Sequence, residues 1–362
     1  MENPDFLKEQ IITYIGNKRS LLDFLSKGFD FAKKELKKEK ISFCDVFSGS
    51  GIVSRFAKAS ANYIIANDLE DYSKIINECY LSNFNNEFFK QLQIYHKDLI
   101  SNLNLEKGFI SKLYSPKYDD CIKKDERVFY TSKNAMYLDT MCKKINKEIP
   151  NEFKKYFLAP LIYEASVHAN TGGVFKGFYK DKNGIGKFGG NGENALSRIK
   201  GDINLKMPIF SNFFCEFDVI KKDANELVKE LDNIDLAYLD PPYNQHPYGS
   251  NYFMLNLIAN YKEPKNISKI SGIPKDWNRS VFNKHKEAED ALFDLIFNLK
   301  AKIILLSYNC EGFIKKDDFL KRLNKIGDCF ILEQKYNAFR ASRNLKSRST
   351  HIQEQLYVIK KF

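Results

Sequence analysis

An apolar run that stops at Asp-Pro-Pro is the feature that most restricts the fold of this chain. Residues 234–244 read IDLAYLDPPYN. A continuous apolar run bounded by a turn signal is typical of a strand covered on both faces, as in a parallel sheet. Two prolines prevent the strand from continuing and hold Asp240 at its carboxyl end. Ligands of open α/β sheets bind at that end, so we expect a functional site at Asp240.

Four consecutive residues after this strand suit the binding of a planar amine. The Asp240 carboxylate and the Pro241 carbonyl are two acceptors, Pro242 stiffens the turn, and Tyr243 offers a flat aromatic surface. A strand end with a surface tyrosine is the alternative interpretation of these residues.

The order of predicted elements indicates an α/β fold with a mostly parallel, doubly wound sheet. The stretches ISFCD, NYIIAND, FFCEFDVIKKD, IDLAYLD and KAKIILLSYN predict strands, and helical patterns separate most of them. The last two apolar runs, CFILEQKY and EQLYVIKKF, predict an antiparallel hairpin at the sheet edge because no helix fits between them.

The middle of the chain has a different character. Residues 72–212 contain lysine-rich helical patterns and then a segment that holds nine of the chain's 18 glycines, between Gly172 and Gly201. We expect 72–212 to be an inserted, mainly helical second domain, with 1–71 and 213–362 forming the domain that contains the sheet. The Gly-rich segment is either a poorly ordered loop or a surface that approaches a ligand closely.

The first two strand ends predict a nucleoside-containing cofactor. Gly49 and Gly51 follow the first strand and allow the backbone to pass close to a ligand, while Asp68 ends the second strand and can accept hydrogen bonds from both ribose hydroxyls. Ser54 stands where a third glycine of a dinucleotide pattern would be. A nucleoside without a pyrophosphate therefore fits better, and S-adenosylmethionine (AdoMet) is such a molecule.

Net charge, cysteine spacing and the length of apolar runs restrict the kinds of ligand and the location expected for this protein. The formal charge of +11 and a pI near 9.0 favour an anionic partner such as nucleic acid. Seven cysteines without a CxxC pair disfavour a zinc site and fit reduced thiols, so no metal is expected. The start MENPDFLKEQ and the lack of a long apolar run predict a cytoplasmic protein without a membrane anchor.

Taken together, these motifs resemble the Dam-like (D12 class, alpha group) DNA adenine methyltransferases, which are often paired with restriction enzymes. The similarity runs in order along most of the chain, through YIGNKRSLL, DVFSGSG, NDLE, IKKDAN and DPPY. It implies an AdoMet-dependent, Rossmann-like enzyme that methylates N6 of adenine in duplex DNA and releases S-adenosylhomocysteine. It also implies a bacterial, nucleoid-associated enzyme that acts either with a cognate restriction endonuclease or without one. The sequence leaves the oligomeric state open, a monomer included.

The resemblance assigns a cofactor site. Its residues are Tyr14, Lys18, Asp45, Phe47, Ser48, Gly49, Ser50, Gly51, Asp68, Leu69, Asp223, Ala224 and Asp240. Tyr14 and Lys18 would lie near the methionine part, with the lysine close to its carboxylate, and Asp223 would accept from the adenine amine. Ala224 stands where relatives often carry a larger apolar residue, so stacking on that adenine is expected from Leu69.

The chemistry of adenine assigns the catalytic and DNA-contacting residues. A target base must leave the duplex stack to react, and an aromatic face such as Tyr243 compensates part of that cost. Asp240 to Tyr243 are the predicted catalytic residues. DNA contacts are expected from the Gly-rich segment, the loop after DPPY and the loop between the last two strands, through Lys176, Lys180, Lys182, Lys187, Asn244, Tyr248, Asn251, Arg340, Arg343, Lys346 and Arg348.

Three other functions fit parts of the sequence. The same Pro-Pro-aromatic chemistry would serve a methyltransferase acting on the cytosine amine or on RNA, although aspartate at position 240 and the basic insert favour adenine in DNA. A catalytically silent DNA-binding subunit is disfavoured by the intact DPPY. A Rossmann dehydrogenase is disfavoured by the missing third glycine.

Overall fold

One seven-stranded sheet organises the protein. The computed structural model describes residues 1–190, 192, 195–243, 245–309, 312–314, 316–337 and 351–362. The strands are β1 Ile41–Asp45, β2 Ala61–Asp68, β3 Glu216–Lys221, β4 Ile234–Leu239, β5 Ala301–Asn309, β6 Gly327–Asn337 and β7 His351–Lys361. Their spatial order is β3-β2-β1-β4-β5-β7-β6.

Strands β1 to β5 are parallel, whereas β7 runs antiparallel to both β5 and β6. The predicted α/β sheet with an antiparallel hairpin at one edge is confirmed. The order of the strands reverses between β1 and β4, which is the point where open α/β sheets bind their ligands.

Helices flank this sheet and also build a separate core. In chain order they are α1 Leu22–Leu36, α2 Ile52–Ala57, α3 Asp71–Tyr80, α4 Asn86–Ile100, α5 Phe109–Tyr114, α6 Ser132–Glu148, α7 Asn151–Val167, α8 Leu196–Lys200, α9 Ala224–Glu230, α10 Tyr248–Asn251, α11 Phe253–Asn260, α12 Ala288–Asn298 and α13 Lys316–Leu323. None of the helices in the described ranges is long and apolar enough to cross a bilayer.

Alternation along β4 shows why the run IDLAYL is apolar at every position except Asp235. All six residues are buried. Leu236 and Tyr238 pack on the face covered by α1 and α2, and Ala237 and Leu239 pack on the face covered by α9, α12 and α13. A strand buried on both faces needs apolar side chains at every position except where a buried charge is paired.

The helical part has its own hydrophobic core. Buried side chains of α3 to α7 form one cluster, which also takes in Tyr252 to Ala259 of the segment that follows DPPY. The side chain of Asn85 caps the amino terminus of α4, and that of Thr131 caps α6. The helices predicted for 72–212 therefore form, and α11 packs against them. The domain boundaries themselves remain a prediction.

The Gly-rich segment contains a small hairpin. Lys180 bridges antiparallel to Gly186, and Oδ1 of Asp181 accepts the backbone N–H groups of Asn183 and Ile185 across the turn. Gly184, with φ near +78°, supplies the left-handed residue that this turn needs. Residues 180–186 thus form a defined turn within a segment that otherwise has little regular secondary structure.

Asp235, the charged residue inside β4, is expected to make the stability of the fold depend on pH in the acid range. Burial alone would raise the pKa of this carboxyl, but hydrogen-bonded ion pairs with Lys38 and Lys302, at 2.7 and 2.9 Å, and the N–H of Ser42 lower the pKa to about 2. Because the unfolded pKa is about 3.9, the carboxylate stabilises the fold above that pH. The contribution is lost as the pH falls from about 4 to about 2.

We expect Asp235→Asn to lower the free energy of unfolding by about 1–2 kcal/mol at pH 7. The difference from the wild type should shrink as the pH falls from about 4 to about 2 and disappear below pH 2, where the aspartate is neutral as well. Urea unfolding at a series of pH values measures it. Asp232→Asn, which breaks an exposed ion pair with Lys300, is the matched control and should change stability by less than about 0.5 kcal/mol. A difference that persists unchanged down to pH 2 would contradict the ion-pair explanation.

Candidate active site

A cavity lies at the carboxyl ends of β1, β2 and β4. It encloses about 700 Å³ including its mouth, and its wall contains Tyr14, Ile15, Gly16, Val46, Phe47, Gly49, Asn67, Asp68, Leu69, Glu70, Lys222, Asp223, Ala224, Asp240, Pro242, Tyr248, Gly249, Asn278, Ser280, Phe282 and Asn283. A smaller pocket of about 280 Å³ adjoins it, and Lys18, Asp45, Ser48 and Ser50 line this pocket together with Asp240. The strand-order reversal therefore coincides with a cavity, where open α/β sheets bind their ligands.

Twelve of the thirteen residues predicted for the cofactor site line one of these two cavities. The exception is Gly51, which lies at the amino end of α2, donates its N–H to the Ser48 carbonyl at 2.7 Å and has φ near +76°. A Cβ there would lie 2.9 Å from the side chain of Asn77. Gly51 thus supports the conformation of the glycine loop without lining the cavity.

Asp68 holds the glycine loop in place. One of its carboxylate oxygens accepts the N–H of Gly49 at 2.8 Å, and the other accepts the N–H of Glu70 at 3.0 Å. Burial raises the pKa of Asp68, and these backbone hydrogen bonds oppose the rise. Gly49 has φ near +50°, and a Cβ on it would come within 2.9 Å of the Tyr14 ring. Glycine is therefore required there by conformation and by space.

Asp45 is a buried carboxyl with one oxygen unpaired among the described residues. Its Oδ2 accepts the hydroxyl of Ser54 at 2.7 Å, while Oδ1 has no hydrogen-bond partner and is shielded from solvent. Burial, with smaller effects from Asp240 and Asp68, raises the pKa of Asp45 to about 7. A group with this unmet acceptor, in the wall of a pocket, suits a cationic ligand group.

Asp240 stands at the centre of the site, next to a buried lysine. Its side chain is 19% exposed, and its Oδ1 lies 3.2 Å from Nζ of Lys18, which is 3% exposed and also contacts Glu354 at 2.8 Å. Burial raises the pKa of Asp240 to about 6, with Lys18 opposing and Glu354 adding to the rise. Lys18 remains a cation, since the two carboxylates outweigh its desolvation and raise its pKa well above the usual range.

Tyrosines pack the amino-terminal motif against the segment after DPPY. The Tyr14 ring stacks on Tyr248 at 4.9 Å and on Tyr252 at 4.7 Å. The Tyr248 hydroxyl donates to the Ile15 carbonyl at 3.1 Å, and the Ile15 N–H donates to the Tyr252 hydroxyl at 2.7 Å. Tyr248, predicted to contact DNA, therefore lies in the cavity wall.

The other predicted DNA contacts fall into three groups. Lys176, Lys180 and Lys182 are exposed, whereas Lys187 is half-buried and lies 3.4 Å from the Gly190 carbonyl. Asn251 is only 3% exposed, which fits packing rather than a direct DNA contact. Asn244, Arg340, Arg343, Lys346 and Arg348 lie outside the residues that the structure describes.

Two contacts join the Gly-rich segment to the loop after DPPY. Lys176 Nζ lies 3.3 Å from Nδ1 of His246, and the Phe175 N–H donates to the Asn251 carbonyl at 2.7 Å. The Gly-rich segment therefore packs against the loop after DPPY.

Sequence reasoning missed part of the cavity wall. Glu70 is 3% exposed and accepts the side-chain amides of Asn256 and Asn278, at 2.5 and 3.2 Å. Phe282 contacts Phe47 edge to face, with ring centroids 5.1 Å apart. Asn278 and Phe282 belong to an irregular stretch with no motif that could have identified them. Glu70 could have been noticed, because it belongs to the NDLE stretch.

Comparison with known proteins agrees with this geometry. Residues 14–309 match the family model for D12 class N6 adenine-specific DNA methyltransferases. The chain is 29% identical to the type II methyltransferase M.NlaIII of Neisseria lactamica, over 97% of this chain and 99% of that protein. It is 27% identical to M.CviAII of Paramecium bursaria Chlorella virus 1, over 96% and 98%, and 27% identical to M.FokI of Planomicrobium okeanokoites, over 96% of this chain and 52% of that protein. A cavity at the strand-order reversal, a DPPY turn within it and a family match over most of the chain lead to one conclusion: the protein belongs to the D12 class N6 adenine-specific DNA methyltransferases.

Proposed function

We propose that this protein uses AdoMet to methylate N6 of an adenine flipped out of duplex DNA, with Asp240, Pro241, Pro242 and Tyr243 as its catalytic residues. The observation that carries the proposal is the Asp240 carboxylate, which lies in the wall of both cavities and is partly open to them. A partner endonuclease in a restriction-modification system, as the names of the relatives suggest for them, and a cytoplasmic location are part of the same proposal.

The residues of the cavity fit AdoMet. The unpaired, buried Oδ1 of Asp45 suits the ammonium of the methionine moiety, and Asp68 suits the ribose hydroxyls. Asp223 caps α9 through Oδ1 and would accept from the adenine amine of the cofactor. Phe47 and Phe282 line the same cavity as Leu69 and Ala224, so their rings would add to the stacking on the cofactor adenine that is expected from Leu69.

When bound, AdoMet supplies a methyl group on a sulfonium, which makes that carbon electrophilic. The task of the protein is to make the amine of adenine nucleophilic, because its lone pair is delocalised into the ring. Hydrogen bonds from both amine hydrogens to the Asp240 carboxylate and the Pro241 carbonyl favour a pyramidal nitrogen. Because two prolines fix this turn, the acceptors need little reorganisation in the transition state.

The proton balance assigns Asp240 a second task. As the nitrogen lone pair forms the new C–N bond, the methyl–sulfur bond breaks and its electron pair stays on sulfur. The amine nitrogen then carries a positive charge and one proton too many. Asp240, with a pKa raised by burial to about 6, is placed to accept that proton and pass it to solvent.

Aromatic packing supports a flipped base. Tyr243 contacts Tyr308 edge to face, with centroids 5.8 Å apart, which steadies the ring beside Asp240. Stacking of a base on such a ring contributes about 1–3 kcal/mol, a large share of the cost of unstacking. The exposed Lys176, Lys180 and Lys182 of the Gly-rich segment would contact phosphates.

The test is a methylation assay with identification of the product. The purified protein is incubated with unmethylated plasmid DNA and methyl-labelled AdoMet, and the DNA is digested to nucleosides. We expect the label in N6-methyladenine. Label in cytosine would overturn the base assignment, and AdoMet binding without label in DNA would overturn DNA as the substrate and direct the same assay to RNA.

A further inference from the structure

A glutamate far from DPPY in the sequence shares the buried lysine that contacts Asp240. Glu354 of β7 is 1% exposed, and its Oε1 lies 2.8 Å from Nζ of Lys18. The same Oε1 accepts the hydroxyl of Ser307 on β5 at 2.5 Å. The Lys18 ammonium thus lies between two carboxylates, one from the strand end of β4 and one from the antiparallel hairpin.

The strand pattern explains why Glu354 reaches this place. Leu356 and Val358 follow Glu354 at intervals of two and pack on the face of the sheet covered by α1. Lys18 immediately precedes the turn of 3-10 helix that leads into α1. A glutamate on this face, at the end of β7 that meets the carboxyl end of β5, therefore projects to the side chain of Lys18.

Removing these charged groups from water costs free energy, which suggests that the arrangement serves a function. The buried Glu354 carboxylate and the partly exposed Asp240 carboxylate face one ammonium, and Oε2 of Glu354 has no hydrogen-bond partner among the described residues. Burying a charge without complete pairing is unfavourable, and a neutral glutamine or an apolar residue would fill the same space. The surplus of one negative charge suits a cationic ligand in the adjoining cavity.

We propose that Glu354 is a positioning residue for the methyl transfer: it fixes the Lys18 ammonium and takes a share of its charge, so that Asp240 remains a strong acceptor for the adenine amine. Glu354 touches neither substrate, and it acts through Lys18. This role rests on the proposed function of Asp240.

The charge balance around Asp240 gives the sign of the effect. The groups that face it are Lys18, Glu354, Asp45, Tyr238, Tyr243 and Tyr248. Lys18 lowers the pKa of Asp240, whereas Glu354 raises it. Without the charge of Glu354, Lys18 pairs with Asp240 only. The Asp240 carboxylate should then titrate at lower pH and be a weaker hydrogen-bond acceptor.

Glu354→Gln is the variant that tests this, because it removes the charge and keeps the shape. The direct readout is a carboxyl carbon NMR titration of protein labelled at aspartate, without DNA, with the Asp240 signal assigned by its loss in Asp240→Asn. We expect the titration of Asp240 to move down by about one pH unit in Glu354→Gln. In the pH profile of the single-turnover methylation rate, the acid limb should move in the same direction. In steady-state assays at pH 7.5, kcat should be about tenfold lower and the KM for AdoMet should stay within about twofold of the wild-type value.

A second variant, Ser307→Ala, should shift the Asp240 titration in the opposite direction. Ser307→Ala removes a donor from Glu354, which strengthens the pull of that carboxylate on Lys18, so the Asp240 titration should move up by about half a unit. Opposite shifts cannot arise from a general loss of stability. Ser307→Ala also keeps the test decisive if Glu354→Gln fails to fold. Glu333→Gln, on the neighbouring strand β6, is the matched control and should leave the titration unchanged.

The outcomes separate the two proposals. An unmoved Asp240 titration in folded Glu354→Gln, or in Ser307→Ala if the first variant does not fold, overturns the role of Glu354, whatever happens to thermal stability. If the Asp240 titration moves as expected in the variants but the wild-type protein does not label adenine, the coupling of Glu354 to Asp240 is supported and the proposed function is overturned instead.

Discussion

Replacement of Asp240 by alanine is expected to lower kcat for adenine methylation about 10³-fold, equivalent to about 4 kcal/mol of transition-state stabilisation. The variant loses an acceptor for the amine hydrogen and the group that takes up the released proton. Lys18 keeps Glu354 as a partner at 2.8 Å, so the buried ammonium is not left unpaired and the fold should persist. The dissociation constant for AdoMet should change far less than kcat.

Asp240→Asn separates the two tasks of this side chain. Its amide oxygen still accepts a hydrogen bond but cannot take a proton, so its activity should lie between those of the wild type and of Asp240→Ala. Single-turnover rates with saturating AdoMet and DNA measure both variants. Asp218→Ala, an exposed carboxylate on β3 that contacts Tyr63, is the control and should retain full activity. Wild-type rates in Asp240→Ala would show that the catalytic acceptor is another group.

Local sequence patterns determine the parts of this site that lie at strand ends. The run before Asp240 and the prolines after it fix both the burial of β4 and the place where it ends, because burial on both faces and the loss of a donor are properties of the residues themselves. The same holds for Asp68 at the end of β2. Parallel strands then bring these ends to one edge of the sheet, which is why residues far apart in the chain could be assigned to one cavity.

Contacts between distant segments could not be obtained in this way. Lys18 and Glu354 are separated by 336 positions, and Glu354 lies in a strand whose pattern indicates only a buried face. The sequence predicts a DNA contact for Tyr248 because it follows DPPY in a polar, aromatic loop, but it does not predict its packing against Tyr14 in the cavity wall. Phe282 comes from an irregular stretch. In each case tertiary packing, which a single sequence does not encode locally, decides the environment of the side chain.

Replacement of Asp68 by alanine is expected to raise the dissociation constant for AdoMet about 100-fold, or about 2.7 kcal/mol. Two losses combine in this variant. The ribose hydroxyls lose their predicted acceptor, and the Gly49 N–H, bonded to Asp68 at 2.8 Å, is left without its buried partner. Because Gly49 lies against the Tyr14 ring, movement of the loop also disturbs the part of the cavity wall that Tyr14 forms.

Isothermal titration calorimetry of the protein without DNA measures this effect directly. Asp68→Asn keeps one acceptor oxygen and should raise the dissociation constant only about tenfold. Asp71→Ala is the matched control: this carboxylate lies three residues further on, pairs with Lys221 at 2.5 Å and is not part of the cavity wall, so AdoMet should bind within about twofold of the wild type. Equal affinities for the wild type and Asp68→Ala would mean that neither the ribose nor the glycine loop depends on Asp68. If Asp71→Ala weakened binding as much as Asp68→Ala, the cause would be the start of α3 rather than a contact with the cofactor.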